Sequence, residues 1–355
     1  MTFFSRSWTV LGILFSQACS ADADADADAA VTTAEIAGTD LILSWPTANP
    51  AFAHGKPYAA YVQPTSRDNP IESGIYGCVR NKGYKFHEGI DLKSIKRDSA
   101  NRPLDTVFAA MDGVVVHLNR KAADSSYGTY FVLEHRGLKP AVYTLYAHLS
   151  AVEKGLVKGS RVKAGQPIGR MGNTAGGYRF PLERAHLHFE IGLRLSDDFQ
   201  RWYDRRKFGS PNKHGNFNGM NLVGLDPIAF YHLYGGKQLK QPLDYLVTLP
   251  KVVVVRAKSA KVPDFVDRYP SLSSYKGGGK KPLAWDFSFG PAGIPLRCDP
   301  APAEADLPSG TRYQVLSYEE STGCCVKCRR LVTQKGKNLV PTTQLGAYLE
   351  LLLPN

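Results

Sequence analysis

The chain has 355 residues, of which 43% are hydrophobic and 21% are charged, so it is long enough for two or three domains. This composition is ordinary for a globular protein and excludes a collagen-like or largely disordered chain. Lysine and arginine total 44 against 32 acidic residues, a net charge of +12. Such a balance suits an anionic partner such as nucleic acid, acidic lipid or a cell-wall polymer, although charge alone does not select among them.

The first twenty residues predict export. Arg6 precedes an apolar run over Trp8–Phe15, and small residues follow, which is the layout of a secretory signal peptide over residues 1–20. Cys19 directly after this run resembles the lipidation site of a bacterial lipoprotein, although Ser16 stands where leucine is usual. Lipid attachment at Cys19 and plain cleavage both remain open. We therefore expect an exported protein of the periplasm or cell envelope, whose only membrane contact would be an N-terminal lipid anchor.

Three further segments follow the predicted signal peptide. Residues 21–40 begin with the sequence ADADADADAA, an acidic low-complexity stretch that predicts a disordered linker. Residues 41–234 are rich in short β-like runs separated by glycine, aspartate and asparagine, whereas the pattern changes from Gly235 onward. The sequence thus predicts a mainly β domain over 41–234 and a smaller C-terminal α+β accessory domain over 235–355.

The β-like runs of the first domain have the spacing of an antiparallel sheet or a barrel-like arrangement. The predicted strands are Thr106–Ala110, Gly113–Leu118, Thr129–Glu134, Val142–Ala147 and His186–Leu193. A long surface loop with a short helix near Asp198–Phe208 is expected over Ser196–Asn221, and a helix over Leu225–Tyr234 closes the domain. In the C-terminal region we predict strands at Leu246–Ala257, Leu283–Phe289 and Tyr313–Tyr318 and a helix around Thr343–Leu353.

Export makes disulfide bonds possible. Five cysteines remain after processing, so at least one is free or engaged in some other way, and most of them cluster near the C-terminus. The disulfide candidates are Cys298, Cys324, Cys325 and Cys328. We expect one or two structural disulfides within the C-terminal region rather than a metal knuckle, which would need reduced thiolates.

Histidines and one aspartate form the pattern that carries chemistry. Residues two apart on a strand project to the same face, so His186 and His188 in the sequence HLHFE lie side by side. In HEGID, a straight strand would separate His87 and Asp91 by roughly 13 Å, but Gly89 between them allows a bend. Histidine and aspartate are good zinc ligands, and three protein ligands with one open position are typical of catalytic zinc.

These motifs resemble a known family. HEGIDL, FAAMDGVVVHL, YTLYAHLS, KGSRVKAGQPIGRMGNT and AHLHFEIG, in this order, closely resemble the lysostaphin-type (LytM-like) zinc endopeptidases that cut peptidoglycan cross-bridges. The resemblance covers about residues 45–231. It implies a mainly antiparallel β-sheet with the active site in a groove walled by loops, one Zn²⁺ per chain, and peptidoglycan peptides rather than nucleic acid as partners.

The resemblance also implies a role for each matching residue. Its zinc ligands correspond to His87, Asp91 and His188. The catalytic histidines that flank a zinc-activated water correspond to His148 and His186, in either order of proton transfer.

Other candidates lie beside these motifs. Tyr146 precedes His148, and the segment before HLHFE is longer than usual in the family and contains Arg179 and Arg184. All three are candidate substrate-binding residues. Glu190, two residues beyond His188, is the candidate carboxylate that orients a neighbouring imidazole, with an ordinary surface charge as the alternative.

Two rival functions stay open at this point. The first is a non-enzymatic wall-binding or amidase-activating protein of the same fold. The second is a carrier domain, because VKAGQPIG also resembles the turn of lipoyl and biotinyl carriers. A carrier would bind no stoichiometric zinc, so metal content distinguishes it from a peptidase. The sequence does not define the oligomeric state.

Overall fold

The computed structural model describes residues 40–353 except for 66–70, 279–280, 303–306, 308–309 and 324–326. The predicted signal peptide, almost all of the predicted linker, Cys19, Cys324 and Cys325 lie outside these residues, so the expectations for them stay predictions. No helix of the described part has the length and apolar character needed to cross a bilayer.

The described residues form eighteen strands and six α-helices. The strands are β1 (Gly77–Arg80), β2 (Lys85–His87), β3 (Ile90–Lys93), β4 (Thr106–Phe108), β5 (Gly113–Asn119), β6 (Tyr130–His135), β7 (Val142–Ala147), β8 (Ala151–Val152), β9 (Arg161–Val162), β10 (Pro167–Arg170), β11 (His186–Arg194), β12 (Leu222–Leu225), β13 (Val253–Lys258), β14 (Ala284–Phe289), β15 (Pro295–Pro300), β16 (Tyr313–Tyr318), β17 (Val332–Lys335) and β18 (Asn338–Pro341). The helices are α1 (Phe199–Arg206), α2 (Pro227–Gly235), α3 (Pro242–Leu246), α4 (Asp264–Arg268), α5 (Glu320–Gly323) and α6 (Thr343–Leu352).

A seven-stranded antiparallel sheet is the centre of the fold. Its strand order is β12-β11-β7-β6-β5-β9, and β3 pairs with the first half of β11 on the edge that β12 extends. The mainly antiparallel β-fold predicted from the sequence is therefore confirmed. The path of this sheet does not return on itself, so the described strands form an open sheet rather than a closed barrel.

Both faces of this sheet are covered by apolar side chains. Along β6, Phe131 and Leu133 belong to the large core, whereas Tyr130 and Val132 belong to a smaller cluster on the opposite face. All six residues of β7 are buried. Because successive side chains of a strand point to opposite faces, such continuous burial requires packing on both sides.

Smaller sheets surround the central one. A three-stranded sheet has the order β4-β10-β8, and the C-terminal region forms a four-stranded sheet with the order β15-β14-β13-β16. Hairpins β1-β2 and β17-β18 complete the strands. One buried apolar cluster includes residues from both sides of Gly235, from Leu41 to Leu353. The predicted division into domains at residue 235 stays a prediction.

Most predicted elements agree with the structure in type and place. The bounds of β7 and β16 coincide with the predicted ones, and α6 ends one residue early. The single strand predicted over Leu246–Ala257 is wrong, because α3 occupies Leu246 and β13 begins only at Val253. Pro250 lies between them, and proline lacks the N–H that a central strand needs.

The disulfide expectation is also corrected. Cys328 pairs with Cys78, with 5.6 Å between their Cα atoms, so this bond joins β1 to the C-terminal region instead of closing within it. Cys298 is free and fully buried on β15. A separation of 250 residues leaves no spacing signal for this pair in the sequence.

Candidate metal centre and groove

Strand register brings the candidate ligands together. In the pairing of β3 with β11, Asp91 lies directly opposite His188, and such cross-strand neighbours have Cβ atoms about 5 Å apart. His87 ends β2, and the chain turns through Gly89 before β3 begins. A Cβ atom at Gly89 would lie 2.1 Å from the carbonyl oxygen of Phe189, so the bend depends on glycine because the two backbones approach closely.

Three ligand-type atoms converge at this point. His87 Nε2 lies 3.0 Å from His188 Nδ1 and 3.1 Å from Asp91 Oδ1, and His188 Nδ1 lies 3.0 Å from the same carboxylate oxygen. All three residues are buried, and they are the one His/Cys/Asp/Glu group with metal-binding geometry among the described residues. Ligands around a tetrahedral zinc with bonds of about 2.0–2.2 Å would be about 3.4 Å apart, within a few tenths of the observed separations.

The outer atoms of both imidazoles show that this group fits a cation. His87 Nδ1 lies 2.8 Å from the Ile75 carbonyl oxygen, and His188 Nε2 lies 2.8 Å from Glu190 Oε1. Each of these partners accepts a hydrogen bond, so the proton of each neutral ring is on its outer nitrogen. His87 Nε2, His188 Nδ1 and Asp91 Oδ1 then face one another with lone pairs and no proton between them. A metal ion bound among them would accept all three lone pairs.

The carboxylates set the charge of this centre. Burial alone would raise the pKa of Asp91, but His87 and Arg80 hold that pKa well below its usual value. Burial alone would lower the pKa of His188, but its hydrogen bonds to Asp91 and Glu190 raise that pKa to about 9. The two carboxylates beside His188 therefore favour positive charge at this centre.

Glu190 has the contacts of an orienting carboxylate. It is fully buried, and it accepts hydrogen bonds of 2.7 Å from the hydroxyls of Tyr127 and Tyr143 as well as its contact with His188. The predicted alternative, a surface charge, is therefore wrong. On the other side of the centre, Arg80 Nη2 donates to Asp91 Oδ2 at 2.5 Å.

His148 and His186 lie beside the three-residue group. Their ring centroids are 4.9 Å apart, and His186 Nε2 lies 3.5 Å from Asp91 Oδ1. The backbone of His148 has a φ of +62°, a left-handed conformation that is uncommon outside glycine and often marks functional sites. Phe180 contacts both rings, at centroid distances of 5.1 Å and 4.9 Å.

Both of these histidines are held neutral. His148 Nδ1 donates to the Thr174 carbonyl oxygen and His186 Nδ1 to the Arg184 carbonyl oxygen, each at 2.7 Å, which leaves Nε2 as the acceptor atom of each ring. Burial is the main cause that lowers the pKa of His186 to about 4 and the pKa of His148 well below its usual value. At neutral pH each ring is therefore uncharged and presents an unprotonated Nε2.

These residues open onto a groove of about 1070 Å³. The lining includes His148, His186 and His188, and further walls come from residues between 175 and 184 and between 202 and 220. Arg179 and Arg184 are among the lining residues, so their placement agrees with the expected substrate contact, and their role stays a prediction.

Tyr146 does not reach this groove, so its predicted role in substrate binding is wrong. Its side chain is fully buried, its hydroxyl accepts a hydrogen bond from the Ala110 N–H at 2.7 Å, and its ring stacks on Phe131. Tyr146 pairs in register with Phe189, whereas Ala147 pairs with His188. Strand alternation therefore points Tyr146 into the core on the face opposite the site.

The C-terminal region supplies another wall of the groove. Arg329, Gln344, Tyr348 and Leu351 are among the lining residues. Arg329 donates to Glu88 in the HEGID turn and to the Tyr348 hydroxyl, both at 2.5 Å. Arg329 thus links the turn that bears the candidate metal ligands to Tyr348 on α6.

Several residues of the site carry no recognisable sequence signal. Arg80 contacts Asp91 from 11 residues away in sequence. Tyr127 and Tyr143 contact Glu190 from 63 and 47 residues away, and Arg329 contacts Glu88 from 241 residues away. Only the strand pairing and the disulfide bring them together. Conservation of these residues among related sequences is the signal that could have identified them.

Comparison with known proteins adds a family to this geometry. Residues 85–198, about a third of the chain, match the family model described as Peptidase family M23. No curated protein matches the chain. Among solved structures, the chain is similar to the catalytic domain of the antimicrobial peptidase lysostaphin from Staphylococcus simulans, with 23% identity, coverage of 45% of this chain and 87% of that chain, and a TM-score of 0.27.

Two other solved structures are similar over shorter stretches. A zinc containing peptidase from Vibrio cholerae is 27% identical and has a TM-score of 0.26, and the match covers 37% of this chain but only 33% of that one. The catalytic domain of a mutant of the prophage-encoded M23 protein EnpA from Enterococcus faecalis is 19% identical, with coverage of 37% and 79% and a TM-score of 0.26. The family assignment therefore rests on the match to the family model.

That match assigns residues 85–198 to peptidase family M23 and confirms the resemblance to lysostaphin-type (LytM-like) peptidases. Peptidases of this family are zinc-dependent, and the donor set of His87, Asp91 and His188 fits that metal. The family match over residues 85–198 and this donor set together indicate a zinc metallo-endopeptidase.

Proposed function

We propose that this chain is an exported endopeptidase that hydrolyses peptide cross-links of bacterial peptidoglycan. The observation that carries the proposal is the convergence of three buried acceptor atoms beside two neutral histidines, inside a segment that matches peptidase family M23. The predicted signal peptide supports export. The disulfide between Cys78 and Cys328 also supports it, because such bonds persist in oxidising compartments.

In this proposal His87, Asp91 and His188 hold one zinc ion per chain. When bound, zinc supplies a positive charge that lowers the pKa of a coordinated water and polarises the scissile carbonyl. Glu190 and the Ile75 carbonyl oxygen fix the two imidazoles in the orientation that presents their lone pairs. Arg80 holds the second oxygen of Asp91, which leaves Oδ1 for the metal.

His148 and His186 move protons in the same proposal. Both rings present an unprotonated Nε2, so either can take the proton of the attacking water in the reaction and give it to the leaving amine. His186 Nε2 lies 3.5 Å from Asp91 Oδ1, so this ring is next to the metal ligands. Phe180 packs against both rings and so helps to hold their positions.

Digestion of purified peptidoglycan tests the function. The zinc-loaded protein should release soluble muropeptides, and mass analysis of the fragments identifies the bond cut. Chelator-treated protein and the His148→Ala variant should release at most a small fraction of these fragments. Protein that sediments with peptidoglycan but releases nothing would contradict the proposal and favour the non-enzymatic wall-binding alternative.

A further inference from the structure

The charged groups of the groove are unevenly paired. Two carboxylates, Glu88 and Asp124, are among its lining residues, and each already has a cation. Glu88 lies 2.5 Å from Arg329, and Asp124 lies 2.6 Å from Lys213. The acidic groups of the walls are therefore neutralised within the protein.

Three of the five lining cations have no such partner. Arg80 pairs with Asp91 and Arg329 with Glu88, but Lys85, Arg179 and Arg184 form no ion pair with any residue that the structure describes. Arg179 has only a 3.3 Å hydrogen bond to the neutral side chain of Asn173. The groove consequently has a surplus of positive charge next to the catalytic residues.

Two of these cations belong to the segment that contacts both catalytic histidines. Arg184 ends a short 3-10 helix over Leu182–Arg184, and its carbonyl oxygen accepts the hydrogen bond from His186 Nδ1. Arg179 directly precedes Phe180, whose ring contacts both catalytic histidines. The backbone of both arginines is thus tied to the reaction site.

The segment is also held in place from outside. Arg97 donates to the Leu182 carbonyl oxygen at 2.6 Å and to the Ala185 carbonyl oxygen at 3.4 Å. Two guanidinium groups without carboxylate partners on a fixed segment suit a carboxylate ligand, because guanidinium matches carboxylate geometry in a bidentate pair.

We propose that Arg179 and Arg184 form a carboxylate-binding subsite, and that the preferred substrate is an anionic stem peptide with a free carboxylate near the scissile bond. This inference rests on the proposed function and deepens it. Such a subsite would favour stem-peptide cross-links, which carry carboxylates, over uncharged glycine bridges.

Equilibrium binding tests the subsite without requiring turnover. The probes are two fluorescent cross-linked stem-peptide dimers, one with the α-carboxylate of D-glutamate free and one with D-isoglutamine in its place. Binding is measured with the zinc-loaded full chain that carries His148→Ala, so that the probe stays intact. We expect the carboxylate dimer to bind about tenfold more tightly, as for a hydrogen bond to a charged group, and this preference to shrink as salt rises.

Substitution then assigns the preference to the two arginines. Adding Arg179→Gln and Arg184→Gln should reduce the ratio of the two dissociation constants to about one. The matched control is Arg136→Gln, an exposed arginine outside the groove that pairs with Glu134, and it should keep the tenfold preference. In the Arg184→Gln variant alone, the ratio of the two dissociation constants should fall from about tenfold to about threefold or less. This single variant keeps the test valid if the double variant is unstable.

Equal affinity of the two dimers for the parent protein would overturn the subsite, and so would an undiminished preference in the Arg184→Gln variant. Hydrolysis of neither dimer by the protein with His148 intact would contradict the proposed function but would leave the binding ratio as a separate result. The two failures are thus distinguishable.

Discussion

Each imidazole of the site is fixed through one ring nitrogen and presents the other. His87, His148 and His186 donate from Nδ1 to backbone carbonyl oxygens, whereas His188 contacts the Glu190 carboxylate through Nε2. His188 therefore presents Nδ1, the opposite atom from the other three. It is also the one of the four whose orienting partner is a side chain, so substitution of that partner can test its importance.

Metal binding and proton transfer should separate in single variants. Asp91→Ala leaves two ligands and should lose most of its zinc. His148→Ala and His186→Ala should keep one zinc per chain while turnover falls roughly 10²–10⁴-fold, the usual contribution of general acid–base catalysis. Zinc content by atomic absorption and hydrolysis rates on the same samples check both parts. If a His148 or His186 variant loses as much zinc as Asp91→Ala does, that histidine is a zinc ligand and the predicted division of roles is wrong.

Glu190→Gln should weaken zinc binding about 10–100-fold, as is typical when the carboxylate behind a ligating histidine is changed. The glutamine keeps the shape of the side chain: its oxygen can accept from one tyrosine hydroxyl, and its NH2 group can donate to the oxygen of the other. The change therefore removes charge more than packing. Competition with a chromophoric chelator measures the affinity. Glu153→Gln, an exposed site away from the groove, is the matched control, and equal affinities for the two variants would argue against this role of Glu190.

At the scale of elements, the sequence predicts much of the site because strand geometry is periodic. The two-residue spacing of His186 and His188 predicts their shared face, and β11 confirms it as a continuous strand. The bend at Gly89 follows equally from the sequence. The register of β3 against β11, which places Asp91 opposite His188, is a long-range property that spacing does not show.

Two predictions failed because the sequence pattern does not show the three-dimensional arrangement: the role of Tyr146 and the disulfide pairing. Tyr146 lies two residues before His148, but β7 ends at Ala147 and His148 has a positive φ, so strand alternation does not continue from one to the other. The pairing of Cys78 with Cys328 likewise depends on how the C-terminal region packs against β1. Local patterns predict elements well, whereas contacts between distant elements require the three-dimensional structure.

A buried histidine on β6 should make the fold sensitive to acid. His135 Nδ1 donates to the Asp112 carbonyl oxygen, and its Nε2 lies 2.8 Å from Thr144 Oγ1. Burial lowers the pKa of His135 to about 4 from its usual 6.5. The unfolded chain therefore binds more protons between pH 6.5 and pH 4, and stability present above pH 6.5 is lost as the pH falls through this window.

His135→Asn keeps a donor towards Asp112 but does not titrate. Between pH 7.5 and pH 5 the free energy of unfolding of the parent protein should fall by about 2 kcal/mol more than that of this variant, at about 1.4 kcal/mol per pH unit below pH 6.5. Urea unfolding of chelator-treated samples measures the difference, since metal release then plays no part. An equal loss in both proteins would show that His135 does not cause the acid sensitivity.

At the scale of the whole molecule, the C-terminal region completes the groove instead of lying apart from it. Residues on α6 line the same groove as His148 and His186, and Arg329 lies over the Phe86 ring with 4.1 Å between its guanidinium carbon and the ring centroid. The Trp202 indole N–H donates to Glu350 at 3.0 Å, which joins α1 to α6. These contacts give the region a structural role at the site.

The disulfide should contribute strongly to stability because it closes a long loop. Replacing both Cys78 and Cys328 by serine should lower the free energy of unfolding by about 3–5 kcal/mol, through greater freedom of the unfolded chain. Urea unfolding of oxidised samples checks this. Reductant should destabilise the parent protein similarly and the double variant little, and a parent protein insensitive to reductant would contradict the expectation.

The most direct test of the account is a zinc titration of chelator-treated protein with peptidoglycan hydrolysis as the readout. We expect no hydrolysis without metal, a rise in proportion to added zinc, and a plateau at one zinc per chain. The His148→Ala variant should bind the same single zinc and stay at least a hundredfold less active. Full hydrolysis by metal-free protein, or none after one zinc is bound, would contradict the assignment of this chain as a zinc-dependent peptidoglycan endopeptidase.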